Sequence, residues 1–257
     1  MGKISVLNFS GIYENESFYA DEDGISFIDM KDVQGTNCMC DDAAKEAVLG
    51  RIGDVSDLHF IDSGNYHYVS ALYLSMVKEP FSLVVLDHHP DMQRPMFDIL
   101  SCGGWIVEVL DKNEYVRDVH IIGADRKLIS ELSEEDRKRV RFYDPEEIFG
   151  LGDDNGPNHI AVNLPKTQHP IYLSIDKDVI RRSELITNWD QGEVTAAQVM
   201  AYVKTLLNNK RSDILGIDIC GECAPDQEEC DINEAVRGND EFNKQIIDMY
   251  KSYRYNE

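Results

Sequence analysis

The apolar positions of this chain fall into short runs rather than long helical stripes. Residues 3–9 read as a first strand and 25–28 as another, after an acidic segment at 14–23. Runs at 58–61, 83–86, 105–110, 119–122, 140–143, 171–175 and 214–219 repeat the pattern, each brief, partly β-branched and bounded by polar or turn residues. Helical signals alternate with them. Asp41-Asp42 caps an Ala-rich stretch at 43–49 that Gly53 should stop. A helix over about 67–77 puts Ala71, Leu74 and Val77 on one face, and Ser133-Glu134-Glu135-Asp136 has the form of a capped start. Residues 195–207 are amphipathic, 240–253 make a last helix, and the Gly-, Asp- and Asn-rich stretch 150–158 is the clearest loop. Strands alternating with helices predict a three-layer α/β/α fold with a mostly parallel sheet, in a single domain spanning 1–257.

Three of the predicted strands end in residues that can bind a metal. Leu83-Val84-Val85-Leu86, apolar throughout as a strand buried on both faces should be, runs into Asp87-His88-His89-Pro90-Asp91. Asp87, His89 and Asp91 alternate along extended chain, so their side chains can converge while His88 and Pro90 point away. The run at 171–175 ends in Asp176-Lys177-Asp178, and the run at 58–61 leads through Ser63-Gly64-Asn65 to His67. In a parallel sheet all three ends lie along one edge, where open α/β sheets place their crevices. Two histidines and four carboxylates carry too much charge for one small cation but suit a pair of divalent ions. Such a pair activates water and polarises the group attacked, which is hydrolase chemistry.

Composition narrows the partners. The 257 residues include 48 acidic against 25 basic side chains, a net charge of −23, which disfavours nucleic acid and anionic membranes and favours a cationic ligand. The amino terminus has the look of neither a signal peptide nor an anchor, and no stretch reaches the ~18 apolar residues of a spanning helix, so a cytoplasmic protein without membrane partners is expected. The six cysteines are then expected to be reduced thiols. Cys220 and Cys223 have C-x-x-C spacing, but no second such pair completes a four-thiolate zinc site.

These motifs together resemble the arginase and agmatinase, or ureohydrolase, family. Asp87-His88-His89-Pro90-Asp91 matches the family's Asp-x-His-x-Asp, Ser174-Ile175-Asp176-Lys177-Asp178 its Ser-x-Asp-x-Asp, and Gly64-Asn65-Tyr66-His67 more loosely its Gly-Gly-Asp-His. The resemblance implies two manganese ions, one held by His67, Asp87, Asp91 and Asp176 and the other by Asp87, His89, Asp176 and Asp178. A hydroxide bridging the ions would attack the carbon of a small cationic guanidino or amidino substrate and break a C–N bond, with Asp178 helping to hold the tetrahedral intermediate. Glu222, in Glu222-Cys223-Ala224-Pro225, corresponds to the family's late acidic residue that receives the guanidinium. Ser101 and Trp105 belong to a stretch resembling the substrate loop, with Trp105 about where the family places a proton-shuttling histidine, and Tyr66 replaces an aspartate. Trimers or hexamers are implied as well.

Two other readings compete. A DHH-type manganese phosphoesterase also carries Asp-His-His after a strand, but its Asp-x-Asp should precede that motif and here Asp176 follows it. A catalytically silent metal-binding scaffold of the same fold is the other, since fold does not dictate function.

Overall fold

The alternating runs assemble into one large sheet with helices on both sides. The computed structural model describes residues 3–20, 24–55, 58–151, 160–209, 213–225 and 232–255. Its first half carries β1 (Ile4–Asn8), β2 (Ile25–Asp29), β3 (Met39–Cys40), α1 (Asp42–Leu49), β4 (Leu58–Phe60), α2 (Val69–Ser75), β5 (Phe81–Leu86), β6 (Leu100–Ser101) and α3 (Trp105–Lys112). The second carries β7 (Val116–Ile122), α4 (Arg126–Glu131), α5 (Glu134–Arg137), β8 (Arg141–Tyr143), α6 (Pro145–Ile148), β9 (Phe149–Leu151), β10 (Ile160–Val162), β11 (Ile171–Asp176), α7 (Ala196–Leu207), β12 (Ile214–Cys220) and α8 (Ile232–Tyr255). The main sheet has eight strands in the order β2-β1-β4-β12-β11-β5-β7-β8. Every adjacent pair is parallel, so all the strand ends that carry chemistry face the same way.

Burial on both faces explains the apolar strands. Along β5, Leu83 and Val85 pack with Val48, Leu72 and Trp105 on one side, while Val84 and Leu86 pack with Val199, Tyr202 and Ile246 on the other. Burying each such side chain stabilises the fold by about 1.5–3 kcal/mol. No helix among the described residues is long and apolar enough to cross a membrane.

Several boundaries differ from the sequence reading. Residues 105–110, expected as a strand, are the helix α3; Trp105, Ile106, Val107 and Val109 are buried and Lys112 pairs with Glu108 one turn away at 3.0 Å. A short apolar run buried on most sides looks the same in either conformation, and only the Glu108–Lys112 spacing marks the helix. Helix α1 ends earlier than Gly53: Gly50 is its C-cap, its N–H bonded to Glu46 O at 3.0 Å. Helix α8 begins eight residues before the expected 240. Of the predicted loop at 150–158, Gly150 and Leu151 are in β9 and residues 152–158 lie outside the described residues. The cysteines are not uniformly reduced either. Cys38, Cys40, Cys102 and Cys220 are free thiols, but Cys223 is disulfide-bonded.

Candidate metal centre

Four adjacent strands, β4, β12, β11 and β5, build the site at their carboxyl ends. After β4 the chain turns at Asp62, whose φ is +66°, and a short 3-10 turn at Gly64–Tyr66 delivers His67. The Asp62 carboxylate fixes that turn by accepting N–H bonds from Phe9 (2.9 Å), Ser10 (2.8 Å) and Ser63 (2.7 Å), and burial raises its pKa to about 6. After β5, Asp87 Oδ1 accepts the His89 N–H at 2.6 Å, a local turn that brings both side chains to the same side. Asp176 repeats the device after β11, its Oδ1 accepting the Asp178 N–H at 2.9 Å. The His88 N–H donates to Asp178 Oδ1 at 3.0 Å and ties the two loops together.

The result is a cluster of ligand-capable atoms at the separations a small cation needs. His67 Nδ1 lies 3.1 Å from Asp91 Oδ2, 3.3 Å from Asp87 Oδ2 and 3.5 Å from Asp176 Oδ2. His89 Nδ1 lies 2.8 Å from Asp178 Oδ2 and 3.7 Å from Asp87 Oδ1. Two triads, His67–Asp87–Asp91 and Asp87–His89–Asp178, thus share Asp87, and a third joins His67 and Asp176 to Cys220.

The groups behind the cluster set its orientation. Ser174 Oγ donates to Asp218 Oδ1 at 2.6 Å and so presents a lone pair to His67 Nε2, 2.8 Å away. This network assigns the proton to Nε2 and leaves Nδ1 facing the carboxylates. Tyr172 holds the other Asp218 oxygen at 2.7 Å, and the Trp105 indole donates to Asp91 Oδ2 at 2.7 Å. Gly64 has room for no side chain: a Cβ there would stand 2.9 Å from Trp189 Cδ1 and 3.0 Å from Asp176 Oδ2.

Electrostatically the cluster lacks positive charge. Burial, with repulsion from Asp87, raises Asp91 to about 6, and burial with Asp176 and Asp87 pushes Asp178 well above the usual carboxylate range. Burial should lower the His89 imidazole, yet Asp178 and Asp87 raise it to about 12. Burial likewise opposes protonation of His67, and Cys220, Asp87 and Asp91 outweigh it. Protons held this tightly occupy the place of a cation. Asp87 Oδ2 is buried without a hydrogen-bond partner, a costly state that a metal ion would relieve. The donor set, carboxylates with two imidazoles, fits divalent first-row ions.

Asp87, His89, Asp91, Asp176 and Asp178 line a cavity of about 670 Å³, whose walls include Ser101, Arg94, Glu131, Asp136 and Trp189. All six residues expected to bind metal therefore meet at one place, and Ser101 faces the same space. Trp105 and Glu222 do not line the cavity. Trp105 is fully buried and braces Asp91. Glu222, expected to receive a guanidinium, is fully buried, pairs with Lys177 and accepts a bond from Asn243 Nδ2 at 2.8 Å. Glu222 is thus held in an internal ion pair outside the set of residues that line the cavity. The sequence reading missed two members of the site. Trp189, 39% exposed and edge-on to His89 with ring centroids 5.7 Å apart, sits in a loop with no motif. Cys220 shares a strand face with Asp218, and that two-residue alternation was the available signal.

A sequence model of the Arginase family matches residues 58–236, most of the chain and every strand that carries a site residue. The chain belongs to the arginase family. An uncharacterised protein of Thermotoga maritima is 28% identical over 225 residues, covering 86% of this arginase-family chain and 80% of that protein. The agmatine ureohydrolase of Thermoplasma volcanium has a similar structure, with a TM-score of 0.62 and 15% identity over 99% of this chain and 92% of that one. A triple mutant of a T. brucei arginase-like protein, solved with Mn2+ bound, has a TM-score of 0.58 and 14% identity over 97% and 91%. These structural likenesses fix the arginase-like α/β fold. Membership also sets aside the DHH phosphoesterase reading.

Proposed function

We propose that this arginase-family chain is a metal-dependent hydrolase that cleaves a C–N bond of a guanidino or amidino compound, with two manganese ions as its cofactor. The observation that carries the reading is the pair of ligand triads sharing Asp87 on the floor of the 670 Å³ cavity. His67, Asp87, Asp91 and Asp176 would hold one ion, and Asp87, His89, Asp176 and Asp178 the other. When bound, such a pair polarises the amidine and supplies a water nucleophile at neutral pH. The protein's own part is orientation and charge. Asp87 and Asp176 are fixed by the N–H groups two residues on and would be the ligands common to both positions. Asp178, its Oδ1 held by the His88 N–H, keeps Oδ2 toward the cavity floor beside His89. On the wall, Glu131 offers a carboxylate to a planar cation and the Trp189 ring gives it an aromatic side.

The test is elemental analysis of the purified protein followed by a urea- and ammonia-release screen over arginine, agmatine, guanidinobutyrate, guanidinopropionate and formiminoglutamate. Turnover of one of these with two ions per chain is the expected result. Two bound ions without turnover of any amidine would replace it with the silent scaffold.

A further inference from the structure

Cys220 stands apart from the six residues that the motifs single out. It ends β12 directly opposite Asp176, its register partner on β11, and shares a face with Asp218 two residues earlier. The thiol is free and fully buried, and Sγ donates to Asp176 Oδ2 at 3.1 Å. Ligand atoms of His67, Asp176 and Cys220 all lie within 4.8 Å of one another. An ion with bonds of 2.0–2.3 Å holds neighbouring ligand atoms roughly 3–3.7 Å apart, so small side-chain adjustments close this triad on one ion. His67 Nδ1 faces Asp87 Oδ2, a buried oxygen without a hydrogen-bond partner, which independently calls for a cation at this spot. The C-x-x-C spacing plays no part, because Cys223 is disulfide-bonded.

We propose that Cys220 is a thiolate ligand of the ion on the His67 side of the cluster, and that it selects zinc, iron(II) or cobalt(II) over manganese at that position. The inference rests on the two-metal part of the reading above, keeps manganese on the His89 side and replaces it on the His67 side, so the two positions are unequal. Sulfur favours borderline cations, whereas the Asp87–His89–Asp178 side offers only oxygen and nitrogen and suits manganese. The step is an exchange without electron transfer. The metal–sulfur bond forms, the S–H bond now directed at Asp176 breaks, and the proton leaves to solvent.

Cobalt(II) added to the chelator-stripped full chain tests this without any assay of turnover. The wild type should show a near-ultraviolet thiolate-to-cobalt charge-transfer band that saturates with one of the two bound ions. Cys220→Ser should lose the band while still binding cobalt on the His89 side, and Cys102→Ser, a change at the free thiol of the cavity wall, should keep it. Zinc affinity on the His67 side should fall at least about tenfold in Cys220→Ser, the loss typical even of residues one contact removed from a metal. Two bound cobalt ions with no such band, or a band that survives in Cys220→Ser, overturns the role of Cys220 and leaves the two-metal reading standing. Failure to bind cobalt at all overturns both. If Cys220→Ser does not fold, the band's persistence in Cys102→Ser supports Cys220 and its loss there overturns the proposal.

Discussion

The indole nitrogen of Trp105 donates to Asp91 Oδ2 at 2.7 Å while its ring lies 4.8 Å, centroid to centroid, from that of His67. One buried side chain thus braces two candidate ligands from behind. Trp105→Phe keeps an aromatic ring in the core but deletes the donor, leaving Asp91 free to rotate. Affinity for the His67-side ion should fall about 10–100-fold with the fold intact. Chelator competition and circular dichroism check this, and unchanged affinity would refute the bracing role.

Asp87 belongs to both of the triads that flank it, so its loss should empty both positions. In the wild type, ions at a hundred times their Kd stabilise by about 2.7 kcal/mol per site, a rise in Tm of roughly 5–10 °C for one site in a chain of this size. Asp87→Ala should bind neither ion and show no manganese-dependent rise. Elemental analysis and melting curves with and without chelator test it; full occupancy in the variant would contradict the shared role.

Lys177 stands between two candidate ligands yet turns away from them to pair with Glu222, both side chains fully buried. Lys177→Met strands an uncompensated carboxylate and should cost about 3–5 kcal/mol in urea unfolding. Adding Glu222→Gln should recover most of that loss. Glu222→Gln alone should leave KM for the amidine nearly unchanged, whereas a residue that receives guanidinium would raise it strongly. The same kinetic comparison therefore separates the observed ion pair from the role that resemblance implies.

The legible parts of this chain were those whose local sequence states its own geometry. Leu83 to Leu86 declares a strand buried on both faces, and Asp87-x-His89 and Asp176-x-Asp178 close their turns with their own carboxylates, so motif and conformation coincide. Residues 105–110 were misread because burial on most sides erases the periodicity that distinguishes helix from strand. The surroundings of Glu222 were not legible because its partners, Lys177 in the turn after β11 and Asn243 on α8, are brought to it only by tertiary structure. Trp189 reaches the site through its bond to Asn65 and its packing over Gly64, contacts more than a hundred residues apart in sequence.

His59 gives a pH dependence that does not involve the candidate metal ligands. Its ring is buried, stacked on Tyr73 with centroids 3.9 Å apart and bonded to Ser5 Oγ at 2.7 Å, and burial lowers its pKa to about 3. In the unfolded chain the value is about 6.5. Above pH 6.5 neither state carries the proton, and the neutral ring costs nothing. Between about 6.5 and 3 the unfolded chain binds a proton that the folded one refuses, so this residue's contribution to stability is lost as pH falls. The slope approaches about 1.4 kcal/mol per pH unit. His59→Asn removes the titration and keeps a polar side chain near Ser5. Urea unfolding at pH 7, 6, 5 and 4 in the presence of chelator should show a shallower decline in the variant than in the wild type. Parallel curves for the two proteins would mean that His59 is protonated in the folded state after all.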